Sequence, residues 1–116
     1  MAHAVLFHHA LGVTMGITRF AERVRAAGHN IAVPDLYAGQ AFASLEEGVA
    51  FAESVGHSAL LERAYAACSD LEPASVYVGI SLGVAAAQIL AATRPGARGA
   101  VLVSACLPPD ATSPSW

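Results

Sequence analysis

The sequence predicts an α/β domain, a three-layer α/β/α sandwich around a mostly parallel sheet of about four strands. Short apolar runs alternate with longer segments of helical periodicity, as in units where a helix follows each strand. Those runs are continuously apolar, the pattern of strands covered on both faces in a parallel sheet. With 116 residues, 55% apolar and 13% charged, the chain has the length of one domain and the means to bury one core.

Each element has its own local reason. Ala4 to His8 reads as a buried strand, closed by the turn-forming His9-Ala10-Leu11-Gly12. Thr14 is a candidate helix N-cap, because its hydroxyl can accept an N–H of the first turn. Ile17, Phe20, Ala21 and Val24 then recur at helical spacing, and Gly28 is the stop signal. Asn30 to Val33 is a second strand, ended by Pro34-Asp35. A polar, glycine-containing connection over 36–43 leads to Ser44-Leu45-Glu46-Glu47. This is capping-box spacing: Ser44 accepts the Glu47 N–H and the glutamate reaches back to the Ser44 backbone.

Helical character continues towards Ser69, with a break at Gly56-His57-Ser58. Ser75 to Val78 is a third strand. Leu82 to Thr93 is a further helical region, stopped by Pro95-Gly96, and Gly99 to Ser104 is a fourth strand. Residues 1–109 form the domain, and the proline- and serine-rich 110–116 read as a loop-like tail. Right-handed crossovers place the C-terminal ends of all these strands on one rim, where open α/β sheets bind ligands. His8, His9, Asp35, Ser81 and Cys106 fall at or just after those ends.

Composition excludes several classes. The net charge is −3 and all six cations are scattered arginines, so there is no footprint for nucleic acid. No apolar run approaches the roughly 18–20 residues that span a bilayer, and the start lacks the basic leader of a secretory signal. Neither a dinucleotide fingerprint nor a P-loop occurs, which disfavours a nucleotide-binding domain. No cofactor and no metal is called for: adjacent His8 and His9 point opposite ways on a strand and cannot share one ion. Cys68 and Cys106 read as reduced, small core residues of a cytoplasmic protein.

The chemistry centres on Gly79-Ile80-Ser81-Leu82-Gly83, a G-x-S-x-G set between a strand and a helix. A nucleophile on so sharp a turn needs glycines two positions either side, where side chains would collide with the neighbouring strand and helix. The helix that follows directs free N–H groups at the space above Ser81. Acyl transfer also needs oxyanion donors. The Leu82 N–H is one candidate, and the Ala10 N–H, in the loop after the first strand, is the other. His8 and His9 are read first as structural residues closing that strand. Together with Asp35 they are possible site-lining groups.

Val5 to Gly12, Ala26-Ala27-Gly28-His29-Asn30-Ile31-Ala32-Val33-Pro34-Asp35-Leu36-Tyr37-Ala38-Gly39 and the Gly79–Gly83 elbow together resemble the dienelactone hydrolase family of the α/β-hydrolase superfamily. The resemblance covers about residues 4 to 109 and implies hydrolysis of a carboxylic ester or lactone. Ser81 stands where the best-known members carry cysteine, which implies serine-esterase chemistry. Val84 replaces a frequent second glycine, and the acidic residue of the first loop has no counterpart in His8 to Gly12.

In this fold the acid and then the histidine follow the nucleophile. After Ser81 the sequence holds one acidic residue, Asp110, and none of the five histidines. The resemblance therefore implies an incomplete hydrolase domain whose base and acid lie outside it, and whose last strand leaves an open edge for self-association. His8, His9 and His57 are the substitutes for the base. The alternative is a catalytically inactive binding module, a hydrolase half that keeps its pocket.

Overall fold

A computed structural model describes residues 2–107, so Asp110, Trp116 and the expected tail over 110–116 lie outside the described residues. Strands β1 (His3–Phe7), β2 (Asn30–Ala32), β3 (Ser75–Ile80) and β4 (Gly99–Val103) form one parallel sheet in the order β2-β1-β3-β4. Helix α1 (Met15–Ala26) links β1 to β2, α2 (Leu45–Val55) and α3 (His57–Cys68) link β2 to β3, and α4 (Val84–Thr93) links β3 to β4. The three-layer α/β fold is the one the alternation predicts.

Strand alternation divides the core. Leu6, Ile31 and Val78 meet Ile17 and Ala21 of α1 on one face. Val5, Phe7 and Tyr77 meet Ala52 of α2, Leu60, Ala64 and Cys68 of α3, and Ala86, Ala87 and Leu90 of α4 on the other. The connection from β1 runs outward to β2 and the next returns past β1 to β3. Crossovers of one hand that travel in opposite directions must lie on opposite faces, which accounts for the placement of α1 against α2 and α3. The reversal falls between β1 and β3, so the loops leaving these two strands flank the crevice where such sheets take ligands.

Local signals explain the boundaries. Thr14 caps α1 by accepting the Ile17 N–H. Ser44 caps α2, accepting the Glu47 N–H at 3.2 Å, but the reciprocal half of the box differs from expectation. The Glu47 carboxylate accepts a hydrogen bond from the Ser44 hydroxyl at 2.9 Å instead of from the backbone N–H. Gly56, at φ +92°, ends α2 and starts α3 in one residue, the predicted break. At the far end of α4, Arg94 donates to the Tyr77 hydroxyl (2.8 Å) and to the Leu71 (2.9 Å) and Cys68 carbonyls. It thereby ties α3, β3 and α4 together.

Three expectations need correction. Phe20 lies on the helical stripe of α1 but is 42% exposed, because a 12-residue helix over two short strands buries only the Ile17–Ala21 line. Cys106 is exposed in the loop after β4, whereas Cys68 is buried as expected. In β4, Leu102 packs on the α4 side while Val101 and Val103 are exposed, so this strand is covered on one face only. Among the described residues, no helix is long and apolar enough to cross a membrane.

Leu90, fully buried between α4 and the sheet, and Phe20 should therefore respond differently to truncation. Leu90→Ala should cost about 2–5 kcal/mol in urea unfolding, and Phe20→Ala under about 1 kcal/mol.

Candidate active site

Ser81 lies between β3 and α4 in a single 3₁₀ turn, Ser81–Gly83, and is exposed on the rim. Its φ is +53°, a left-handed conformation that a residue with a Cβ adopts at a cost of about 1–3 kcal/mol. The neighbouring glycines are what the turn requires. A Cβ on Gly79 would lie 2.6 Å from the Gly83 carbonyl oxygen and 2.6 Å from the Val84 Cα. On Gly83 it would overlap the Phe7 carbonyl, with the His8 carbonyl oxygen 2.8 Å away. The start of α4 is thus pressed onto the end of β1, which brings the elbow beside the loop that follows β1.

That loop is a turn in which the Gly12 N–H donates to the His9 carbonyl at 3.1 Å. Ala10, its second residue, is buried, and Gly48 of α2 packs against its carbonyl. Among the described residues, the Ala10 N–H, which lies outside the helices and strands, donates to no protein acceptor. Unpaired N–H groups are rare in buried backbone, which singles out the Ala10 N–H.

His8 is buried and both of its nitrogens are committed. Nε2 accepts the Leu36 N–H at 3.0 Å, so it carries no proton. The proton of the neutral ring therefore sits on Nδ1, which donates to the His9 carbonyl at 2.8 Å. Burial lowers the His8 pKa below its ordinary 6.5, with proximity to His9 acting the same way. The His9 carbonyl bond and Asp35, whose Oδ1 is 3.9 Å from Nε2, oppose that shift. The ring also meets Tyr37 edge-on, with centroids 4.9 Å apart. A histidine so engaged cannot act as general base, which removes His8 from the substitutes named above.

Asp35 is equally occupied. Its two oxygens accept the Tyr37 and Gly39 N–H groups, each at 2.9 Å, and shape the loop after β2. His9 is half-buried and its Nδ1 accepts the Leu11 N–H at 3.3 Å. Among the described residues, no three His, Cys, Asp or Glu side chains gather as metal ligands would.

Beside the elbow opens a cleft of about 160 Å³ between α3 and α4. Leu36, Leu60, Leu61, Leu82, Ala86 and Ile89 make it apolar. His8, His57 and Ser58 add its polar groups. Sequence reasoning missed the cleft, although the Gly56 break signalled that a new helix begins there. It also missed Gln88, buried in α4, whose amide donates to the Leu107 carbonyl (2.9 Å) and accepts the Leu107 N–H (2.7 Å). These bonds lash the chain beyond β4 to α4. A second cleft, of about 210 Å³, lies at the opposite end of the sheet around His3, Asn30 and Ser75, away from Ser81.

No protein-family model matches this chain, and no curated protein is significantly similar to it.

The depressed His8 pKa has a consequence for stability. Below pH 6.5 the unfolded chain binds a proton at His8 that the folded chain resists. The contribution of neutral His8 is therefore present above pH 6.5 and is lost as pH falls towards the lowered folded-state value. Urea unfolding across this range should show a steeper acid loss for the wild type than for His8→Gln.

Proposed function

We propose that this chain carries the nucleophile of a serine-type hydrolase of carboxylic esters or lactones, similar to the dienelactone hydrolase family. The observation that carries the reading is Ser81 itself. A non-glycine residue at φ +53° sits between a strand and a helix, with glycines packed too closely on either side to admit a Cβ. A strained residue on the ligand-binding rim of an α/β sheet is where a nucleophile gains exposure and a helix N-terminus at once.

The chemistry proceeds in two halves. Ser81 Oγ attacks the substrate carbonyl and gives its proton to a base, and the carbonyl oxygen becomes an oxyanion. The Leu82 and Ala10 N–H groups hold that oxyanion. Collapse expels the alcohol, or opens the lactone ring, and leaves an acyl-serine that water hydrolyses. The apolar cleft bordered by Leu82 receives an apolar part of the substrate, so the small-molecule substrate class is esters or lactones with a hydrocarbon group. His8 being committed, His9 and the cleft-lining His57 are the histidines among the described residues left to serve as base.

Fluorophosphonate labelling of the protein expressed from its full reading frame, with peptide mapping, tests this. An adduct on Ser81 that Ser81→Ala abolishes is the expected result, and an unlabelled Ser81 contradicts the reading.

The second reading, a binding module without turnover, is favoured by the occupied state of His8 and Asp35 beside an intact apolar cleft. Turnover of p-nitrophenyl esters by the purified chain, lost in Ser81→Ala, excludes it. Among the described residues β4 is an edge strand, and its exposed Val101 and Val103 support self-association; two free thiols suit a reducing, cytoplasmic setting.

A further inference from the structure

The hydrolase reading names the Ala10 N–H as an oxyanion donor, and the inference below rests on that reading. An N–H in a loop is useful to an oxyanion only if its peptide plane is held, because electrostatic stabilisation depends on dipoles already oriented before charge develops. The Ala10 N–H belongs to the same peptide unit as the His9 carbonyl. That carbonyl accepts two hydrogen bonds, from His8 Nδ1–H at 2.8 Å and from the Gly12 N–H at 3.1 Å. No described peptide bond is cis, so the Ala10 N–H points away from the side on which the His9 carbonyl is gripped.

We infer that His8 is a positioning residue of the oxyanion hole, its Nδ1–H fixing the His9–Ala10 peptide so that the Ala10 N–H faces the substrate oxygen. The imidazole works as a rigid strut. Its other nitrogen is anchored by the Leu36 N–H in the loop after β2, and the Leu36 carbonyl is in turn held by Arg63 of α3 at 2.7 Å. The peptide beside the elbow is therefore braced against a second rim loop and a helix on the cleft's far wall. Donation to the carbonyl also polarises the shared amide and strengthens its N–H as a donor.

The two nitrogens of His8 can be separated by substitution. In His8→Asn an amide nitrogen stands near the position of Nδ1 and can still donate to the His9 carbonyl. In His8→Gln the amide reaches the position of Nε2, so the Leu36 contact is kept and the His9 contact is lost. A simple alkylboronic acid is a suitable probe, because its adduct with Ser81 is tetrahedral and places one oxygen in the oxyanion hole. Calorimetric titration of the protein from its full reading frame should show His8→Gln binding about 10- to 100-fold more weakly than wild type. His8→Asn should recover most of that loss, whereas a merely structural role would not separate the two variants in this order.

Equal affinities for wild type and His8→Gln, with wild-type Ser81 labelled by fluorophosphonate, overturn the inference and leave the hydrolase reading standing. A wild type that neither binds the boronic acid nor labels at Ser81 overturns the reading and the inference with it. A check that needs no variant is the ¹⁵N spectrum of the wild-type imidazole. Its proton is expected on Nδ1 of His8, and a proton on Nε2 overturns the inference directly.

Discussion

The start of α4 lies so close to the ends of β1 and β3 that there is no room for a Cβ at Gly79 or Gly83. Most of the rim follows from that contact. The chain must leave β3 through one tight turn, which puts Ser81 at φ +53° and lifts it into solvent. Ala86, Ala87 and Leu90 then lie flush against the sheet, where small side chains permit close helix–sheet packing. The start of the loop after β1 is brought against the start of α4. The strain at Ser81 is offset by the two cores on either face of the sheet, which hold both sides of the turn.

The chemistry of the site is divided between groups that are free and groups that are spent. Ser81 is exposed, and the Ala10 N–H is unpaired among the described residues. His8 and Asp35, the titratable groups that look most catalytic in the sequence, have their polar atoms engaged with backbone. They shape the loops after β1 and β2. The same burial that sets both His8 nitrogens against backbone groups also lowers its pKa, which favours the neutral ring.

Much of the scaffold was legible because its signals are local. Thr14, Ser44, Gly56 and Gly79 act on residues within about a turn of themselves, so sequence spacing reveals them. Phe20 misled because helical spacing identifies a stripe, whereas the width of that stripe is set by the strands beneath it. Cys106 and the exposed face of β4 misled because an apolar run reads the same whether one face is covered or two. The His8–Leu36 bond joins residues 28 apart, and the cleft needs α3 and α4 side by side. Pairings of that kind are properties of the fold, and local pattern does not encode them.

Everything proposed for Ser81 depends on its being held in a left-handed conformation by the packing around it. Urea unfolding of Ser81→Gly and Ser81→Ala isolates that claim, since neither variant keeps the hydroxyl and only glycine accepts the conformation without strain. The account predicts that the glycine variant is more stable than the alanine variant by about 1 kcal/mol or more. An alanine variant as stable as the glycine variant would contradict it.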